Sequence, residues 1–475
     1  MIAISKKTYI MYSWLFILDV CLYVNNARQR VRTMIQIIDA HRTILGILGK
    51  AQPSDSGYRL MKYCVPLQTA EGTLLFHTLT RELLLLTPEE FACACTSAYL
   101  KEHWFVVPDK LSDKELAEMV RWVQSSLHKS PKEITNYTIL TTTDCNARCF
   151  YCYEHGCRKI SMDRETADRV ISYIKEHCGG QQVKLSWFGG EPLVNHKVID
   201  QICNGLRNDG IPYESRMISN AYLFDDTIVA KAADLWNLKN IQITLDGTEV
   251  VYNHIKAFIY PDGNPYRIVN ANIVRLLEAG ISVVIRLNIG MNNAEDLLVL
   301  ADELVERFGK QKKLRVYTHL LFDTEDPEGH RLTREAWNKL YASQRCLEEK
   351  LLRHGLSTAR YRGLRRDLPL SHCMADSGNA VVIVPDGHIG LCEHYTESEF
   401  IGHIDSPNRD SSVIASWRER REEIPECADC FFYPECTIPK KCNSSAQCCD
   451  HVRESLLRNT RQCMENEYLR WKRNP

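Results

Sequence analysis

The stretch Thr143-Asp144-Cys145-Asn146-Ala147-Arg148-Cys149-Phe150-Tyr151-Cys152 determines how the rest of the chain is interpreted. Its cysteines follow the spacing C-x3-C-x2-C directly after a predicted strand. Three thiolates on one short loop can bind three irons of a cubane cluster and leave the fourth iron open to a ligand. A zinc site or a redox pair is the alternative, because Cys157 or His155 could supply a fourth ligand.

Strand-like and helix-like segments alternate from residue 137 to about residue 352. The helical segments keep one apolar face at the i, i+3, i+4, i+7 spacing, as between Ala167 and Ile174. Six such repeats predict an α/β fold with a parallel sheet, closed or partly closed as a (β/α)6 TIM-like barrel. The predicted strands are 137–142, 183–188, 213–219, 241–245, 283–288 and 314–321.

Polar residues and glycines stand where successive predicted strands end. After the second strand comes Gly189-Gly190-Glu191-Pro192, where two glycines let the backbone come close to a ligand. Exposed amides together with Glu191 can hold an amino group there. Later strand ends carry Asn220, Thr244, Arg286 and Asn288. Polar side chains at successive strand ends are what a site at the mouth of a barrel requires.

These motifs resemble the radical S-adenosylmethionine (SAM) superfamily, with C-x3-C-x-aromatic-C, in which Tyr151 is the aromatic residue, and a GGEP motif. The resemblance covers about residues 137 to 320. It implies a [4Fe-4S] cluster with exchangeable SAM on Cys145, Cys149 and Cys152, which we call the loop set. It also implies recognition of the SAM amino group by Gly189, Gly190 and Glu191, and further SAM contacts from some of Asn220, Thr244, Arg286 and Asn288.

A second group of cysteines lies in the C-terminal region. Nine of the 20 cysteines fall between Cys373 and Cys463. Seven or more thiolates satisfy two clusters, and a pair of structural zinc sites is the alternative. In chain order they are Cys373, Cys392, Cys427, Cys430, Cys436, Cys442, Cys448, Cys449 and Cys463.

This region resembles the SPASM domain, whose pattern is C-x9-15-G-x4-C, a gap, C-x2-C-x5-C-x3-C, a gap and a final C. Here the fourth cysteine of the middle run follows after five residues, and the final cysteine is Cys463, Cys448 or Cys449. The resemblance implies one or two auxiliary [4Fe-4S] clusters, and Asn379 at the position of an additional ligand in some relatives implies an open iron. The implied first C-terminal set is Cys373, Cys392 and Cys442, and the second C-terminal set is Cys427, Cys430, Cys436 and Cys463.

Composition adds few constraints on partners. With 44% hydrophobic residues, 25% charged residues and a net charge of -1, the chain has no overall attraction to nucleic acid. Cysteines used as metal ligands predict a reducing compartment, and we expect the cytoplasm. The apolar run before Val24 is short for a membrane span and contains Asp19, so we expect no anchor. Translation starting at Met34 is an alternative.

The patterns predict four regions: an N-terminal extension (1–54), which need not be native, a small α+β module (55–130), the barrel (131–355) and the auxiliary-cluster domain (356–475). In the module, Thr87-Pro88-Glu89-Glu90 is typical of a helix start. The module is either a leader-peptide-binding domain or an extension that caps the barrel. The remaining cysteines are predicted to be mostly buried apolar residues: Cys21, Cys64, Cys93, Cys95, Cys178, Cys203 and Cys346.

SPASM-bearing proteins modify peptides or proteins, so the resemblance implies a maturase that installs a thioether or carbon–carbon crosslink in a ribosomally made peptide. An electron donor such as flavodoxin or ferredoxin is the implied partner. The second hypothesis is an anaerobic sulfatase-maturating enzyme, in which Glu393 would act as the base where those relatives have aspartate. The third is a non-catalytic, zinc-bound scaffold, which leaves the motif from Gly189 to Pro192 unexplained.

Overall fold

The computed structural model of the protein describes residues 32–35, 57–127, 131–152, 154, 158–260, 263–321, 332–394, 399–406, 408–442 and 450–473. Several predictions fall outside these residues: the extension before residue 32, Cys21, His155, Cys157, Cys448 and Cys449. Among the helices that the structure describes, none is both long and apolar enough to cross a membrane.

The N-terminal module contains a four-stranded antiparallel sheet in the order β1-β5-β4-β3 and a two-stranded sheet of β2 and β6. The alternating pattern around Ala70-Glu71-Gly72 predicts a hairpin, and this is confirmed, because β3 pairs with β4 across residues 70 and 71. The predicted helix start is also confirmed, since Thr87 and Glu90 form a capping box. The elements are β1 (Arg32–Ile35), β2 (Tyr58–Leu60), β3 (Cys64–Thr69), β4 (Gly72–His77), β5 (Leu83–Leu86), α1 (Pro88–Ala92), α2 (Ala98–Glu102), β6 (Val106–Pro108) and α3 (Asp113–Leu127).

The predicted α/β barrel is confirmed as a partial barrel of six parallel strands with helices between them. Its strands are β7 (Asn136–Thr142), β8 (Val183–Gly189), β9 (Tyr213–Ile218), β10 (Leu238–Thr244), β11 (Ser282–Ile289) and β12 (Leu314–Leu320). Its helices are α4 (Arg164–His177), α5 (His196–Asn208), α6 (Asp226–Ala233), α7 (Glu249–Lys256), α8 (Pro265–Glu278), α9 (Asp296–Phe308) and α10 (Arg334–Arg353).

Residues alternate between the two faces of this sheet. In β8, Val183, Leu185 and Trp187 are fully buried in the main core beneath the helices. The residues between them, Lys184 and Ser186, point to the open interior of the barrel and line a cavity there. Burying one large apolar side chain stabilises a fold by about 1.5–3 kcal/mol, so the outer face supplies the stability and the inner face is available for polar groups.

The cysteine-rich region extends the barrel sheet. Its first strand pairs with β7 in parallel, so the edge that would close the barrel is occupied and the barrel stays open. The elements are α11 (Met374–Ser377), β13 (Ala380–Ile383), β14 (His388–Gly390), β15 (Gly402–His403), α12 (Ser411–Arg418) and α13 (Asp450–Arg473). The last helix runs back along the N-terminal module, where the Arg461 side chain donates to the Pro66 carbonyl at 3.3 Å.

The N-terminal module and the cysteine-rich region share a hydrophobic core. Tyr433 is buried in the same cluster as the module residues Tyr63 and Phe105, and Cys427 and Cys430 pack against it. Buried Arg81 of the module forms an ion pair with Glu435. The module therefore supports the segment that carries the second C-terminal set.

The cysteines outside the three sets differ in burial. Cys64, Cys178 and Cys203 are buried, as predicted. Cys346 is exposed on α10, so its predicted burial is wrong: it lies on the solvent side of an amphipathic helix. Cys93 and Cys95 are also exposed. The helix that starts after Thr87 is predicted from sequence to continue through both cysteines, but it ends at Ala92, before both.

Candidate functional site

The loop set lies beyond the carboxyl end of β7, where a parallel barrel places its chemistry. All three cysteines are half-buried. The Ala147 amide donates to the Cys145 sulfur at 3.4 Å, and the Cys152 amide donates to the Cys149 carbonyl at 3.1 Å. These bonds fold the loop into a compact turn that presents its sulfurs together.

Burial makes Cys145 and Cys152 of the loop set hard to ionise unless a positive charge lies nearby. The pKa of the Cys145 thiol is raised to about 12, mainly by burial and further by Glu191 and the two other thiolates. Burial also raises the pKa of Cys152. A bound iron–sulfur core supplies positive charge and keeps its ligand thiols deprotonated, so this donor set fits such a cluster.

A buried ion pair between Asp246 and Lys256 contacts the cysteine loop and fixes its position. Asp246 follows β10 and Lys256 ends α7, and the two side chains are 0% and 5% exposed at 2.9 Å from each other. The Tyr151 hydroxyl lies 2.6 Å from the Asp246 carboxylate and 2.9 Å from the Lys256 ammonium. The Lys256 carbonyl also accepts from the Arg148 amide at 2.8 Å. Loop residues between the cysteines are therefore tied to the barrel core.

The predicted glycines lie directly against the loop. A Cβ on Gly189 would lie 2.1 Å from the Thr142 carbonyl oxygen, and one on Gly190 would lie 2.4 Å from the Asp144 carbonyl oxygen. Gly189 also has a φ of 117°, which favours glycine. The two glycines thus let the backbone after β8 pack directly against the cysteine loop. Their contact with SAM stays a prediction.

Glu191 is fully buried and its carboxylate is already bonded within the chain. It accepts from the Leu193 amide at 3.1 Å, the Ser219 hydroxyl at 2.8 Å and the Asn220 amide at 2.8 Å. Burial raises the pKa of this carboxyl group to about 7. Glu191 therefore fixes the turn after β9, and its predicted contact with an amino group stays a prediction.

The other predicted SAM contacts lie at neighbouring strand ends. The Asn220 side chain donates to the Asn146 side-chain oxygen at 2.6 Å and lies 3.9 Å from the Cys145 sulfur. Thr244 and Arg286 are register partners on β10 and β11. The Arg286 guanidinium donates to the Asn288 side chain at 2.7 Å. The structure brings these residues to one mouth of the barrel, and their contacts with SAM stay predictions.

The first C-terminal set comes together although its members are far apart in sequence. Burial is the main cause of the raised pKa values of Cys373 and Cys392, the charge of Cys442 raises both further, and that of Cys373 also raises the pKa of Cys392. The amides of Ala375 and His394 donate to the Cys373 and Cys392 sulfurs, each at 3.4 Å. This contact repeats that of Cys145, and hydrogen bonds to cluster sulfurs are a usual means of tuning iron–sulfur centres.

Glu393 and Asn379 both lie beside this set. The charge of Glu393 raises the thiol pKa of Cys373 and of Cys392, which places the carboxylate near both. The Asn379 side chain donates to the Thr135 hydroxyl at 3.4 Å, and its carbonyl accepts from the Thr135 amide at 3.0 Å. The role of Glu393 as a base and the open iron near Asn379 stay predictions.

The second C-terminal set is bound to the N-terminal module. The Arg121 side chain donates to the Cys436 carbonyl at 2.8 Å, and Arg421 lies 3.7 Å from the Cys427 sulfur. Cys463 on α13 lies close to Glu435, whose charge raises its thiol pKa after the larger effect of burial. Membership of Cys463 in the set stays a prediction.

A site for a single metal ion needs several ligand side chains that converge on one point. Within the ranges that the structure describes, no three Cys, His, Asp or Glu side chains converge closely enough to hold one metal ion. The thiolates that bind an iron–sulfur cluster lie farther apart than the ligands of a single ion, because the cluster lies between them. The case that the cysteine sets fit clusters therefore rests on the hydrogen bonds to their sulfurs and on the charges described above.

Sequence reasoning did not identify Lys256 as part of the site. Asp246 directly follows the predicted strand 241–245, but its partner is ten residues later in the chain. A lysine on the buried face of a short helix, beside a buried aspartate at a strand end, is the signal that could have found the pair.

Comparisons with known proteins agree with this geometry. Residues 135–256 match the family described as a 4Fe-4S single cluster domain, and this segment contains the loop set, β7 to β10 and Lys256. An uncharacterized protein of Methanocaldococcus jannaschii is 34% identical over 113 residues, which cover 23% of this chain and 37% of that protein. A GTP 3',8-cyclase of Rhodopirellula baltica is 34% identical over 115 residues, covering 23% and 30% respectively.

The aligned stretches thus span about a third of the relatives' own length. A solved structure, native anSMEcpe with bound AdoMet and Cp18Cys peptide, is 15% identical and aligns over 71% of this chain and 98% of that chain, with a TM-score of 0.52. At that identity the likeness shows the fold.

Residues 135–256 are therefore similar to a 4Fe-4S cluster domain, and the chain has the fold of a solved structure that holds AdoMet. In this chain a cysteine-rich region follows the barrel.

Proposed function

We propose that the chain is a radical SAM oxidoreductase of the SPASM type that cleaves SAM reductively and modifies a ribosomally made peptide by a thioether or carbon–carbon crosslink. The observation that carries the proposal is the loop set at the mouth of a parallel barrel, with the first C-terminal set beside the same interior. When bound, a cluster of this kind supplies the electron that cleaves SAM to a 5'-deoxyadenosyl radical.

The chain's own residues have three tasks in this proposal. The Asp246–Lys256 pair and Tyr151 hold the loop rigidly. Glu191 fixes the turn that carries Asn220, whose side chain reaches toward the Cys145 sulfur. The partly closed barrel restricts water around the reacting groups, which protects a reactive radical from side reactions.

Two groups link the first C-terminal set to the barrel interior. The pKa of His319 on β12 is lowered to about 4 by burial and by the positive charges of Arg286 and His394. His394 follows Cys392 by two residues, so the cysteine lies close to the strand that carries His319. This placement supports a role for an auxiliary cluster in accepting the electron that a substrate radical releases.

A peptide substrate is the finer part of the proposal. It is supported by anSMEcpe, whose solved structure holds AdoMet and the Cp18Cys peptide in the same fold. The electron donor we propose is a flavodoxin or ferredoxin in the cytoplasm. The shared core with the second C-terminal set supports a capping role for the N-terminal module, and leader-peptide binding is a further role that we propose for it.

The proposal is tested with protein reconstituted anaerobically with iron and sulfide. Dithionite-dependent formation of 5'-deoxyadenosine from SAM is measured by liquid chromatography, and the metal content is measured in the same sample. The proposal predicts turnover together with about four irons for each cluster. Zinc in place of iron, without 5'-deoxyadenosine, would contradict it and favour the scaffold hypothesis.

A further inference from the structure

A cavity of about 420 Å³ lies inside the barrel, at the amino-terminal halves of the strands and away from the loop set. Inward residues of β7, β8, β9 and β10 line it on one side, and Cys373 with Met374 lines it on the other. The cavity therefore lies next to Cys373 of the first C-terminal set.

The charges that line this cavity are mostly positive. Three cations, Lys184, Arg216 and Lys239, face one acid, Glu214, which is the only carboxylate among the described lining residues. Lys184 lies 3.7 Å from Glu214, so those two charges offset each other. The Arg216 guanidinium donates to the neutral Ser186 hydroxyl. In the part of the chain that the structure describes, neither Arg216 nor Lys239 has an ion pair with a carboxylate.

The neutral lining residues suit a peptide backbone. Asn136, Asn240 and Asn379 present amide groups, and Thr138 and Ser186 present hydroxyl groups. Such groups both donate to carbonyls and accept from amides. None of the described lining residues is aromatic, so the cavity offers no ring on which a nucleobase could stack. The lining therefore favours an acidic peptide over a nucleotide.

We propose that this cavity binds an acidic segment of the peptide substrate, with Asp or Glu carboxylates held by Arg216 and Lys239 beside Cys373. That the peptide is a substrate rests on the proposed function, whereas the binding of an acidic peptide in the cavity does not. A guanidinium binds a carboxylate in a charge-assisted, often bidentate geometry, which is the strong form of such a contact. Charge complementarity inside a concave site selects partners and excludes those of the wrong sign.

The test is equilibrium binding measured by fluorescence anisotropy. The probes are a fluorescein-labelled decapeptide of Gly, Ser and Glu and a twin with every Glu replaced by Gln. The full-length protein is compared with Arg216→Gln/Lys239→Gln and with a matched control, Arg164→Gln/Lys197→Gln, whose exposed side chains lie on outer helices. We expect the acidic probe to bind about tenfold more tightly than its twin, with the preference lost in the cavity variant and retained in the control.

A second variant guards against misfolding. Glu214→Gln removes the acid from the cavity, so the acidic probe should bind more tightly than it does to the unmodified protein. Equal binding of the two probes, or a preference that survives Arg216→Gln/Lys239→Gln, would overturn the proposal. Displacement of the probe by GTP with the same dependence on Arg216 and Lys239 would overturn it in favour of a nucleotide.

The assay also separates this proposal from the proposed function. Formation of 5'-deoxyadenosine is measured on the same preparation of unmodified protein. Preferential binding of the acidic probe without SAM cleavage would contradict the proposed function and still support the binding site. SAM cleavage without preferential binding of the acidic probe would support the proposed function and overturn the binding site.

Discussion

The loop set and the first C-terminal set reach similar surroundings by different routes. The loop set lies within one short loop, at Cys145, Cys149 and Cys152. The first C-terminal set is spread along the sequence, at Cys373, Cys392 and Cys442. In both sets, an amide two residues after a cysteine donates to its sulfur at 3.4 Å. The first arrangement is local in sequence, and the second depends on the tertiary fold.

The supports of the cysteine sites differ in the same way. The loop set rests on a buried ion pair inside the barrel itself, between Asp246 and Lys256. The second C-terminal set rests on the N-terminal module, through the buried ion pair between Arg81 and Glu435. Damage to one support should therefore leave the other cysteine site intact.

The largest expected effect separates the loop set from the C-terminal sets. Replacing Cys145, Cys149 and Cys152 with Ala removes the thiolates that we propose hold a SAM-binding cluster, so 5'-deoxyadenosine formation should fall to background. The control is the triple variant Cys93→Ala/Cys95→Ala/Cys346→Ala, which removes three exposed cysteines outside the sets. Retained SAM cleavage in the loop variant would break the comparison, because the loop would then not be the reaction centre.

The second prediction concerns the support of the loop. Lys256→Met leaves Asp246 buried without its cation, and such a change costs about 3–5 kcal/mol of unfolding free energy. Urea denaturation measures this loss, and iron retention should fall with it. Lys256→Arg keeps the charge and should recover most of the stability.

Lys339→Met is the matched control for this change. It breaks an exposed pair with Glu295, in which the side chains are 65% and 87% exposed. Exposed pairs contribute about 1 kcal/mol or less. A loss at Lys256 no larger than that at Lys339 would show that the buried pair does not hold the loop.

The third prediction applies the same test to the other support. Arg81→Met leaves buried Glu435 with only the more distant charge of Arg365, so we expect a loss of about 2–3 kcal/mol, somewhat less than at Lys256. Auxiliary iron should decrease while 5'-deoxyadenosine formation persists. Loss of SAM cleavage with retained auxiliary iron would contradict this prediction, because Arg81 would then support the loop set and not the second C-terminal set.

The smallest effect, counted per pH unit, is a pH dependence of stability at His319 in the barrel interior. The pKa of His319 is lowered to about 4 in the folded state, against about 6.5 when unfolded. Below pH 6.5 the unfolded chain gains a proton that the folded protein does not, so stability should fall by about 1 kcal/mol per pH unit toward pH 4. In His319→Gln, urea titrations should show this slope reduced, and an unchanged slope would contradict the burial of His319.

The sequence alone predicted much of the barrel, for a clear physical reason. Alternating burial in β8 and the apolar face of α4 are local patterns, so the six strands were placed within a few residues of their observed bounds. The capping box at Thr87 was equally local. The predicted division of the chain into four regions stays a prediction.

Tertiary contacts could not be predicted in this way. Lys256 was missed because its pairing with Asp246 depends on how α7 packs against β10. The bonding of Glu191 to Ser219 and Asn220 joins two different strand ends, and nothing in the local sequence specifies it. The exposure of Cys346 depends on which face of α10 meets the core.

The most direct test of the central claim is a count of iron and acid-labile sulfide in three proteins reconstituted side by side. They are the unmodified chain, the variant without the loop set and the variant Cys373→Ala/Cys392→Ala/Cys442→Ala. Separate cubane clusters on the three cysteine sets predict about twelve irons in the first protein and about eight in each variant. Equal iron in all three proteins, or zinc in place of iron, would contradict the account.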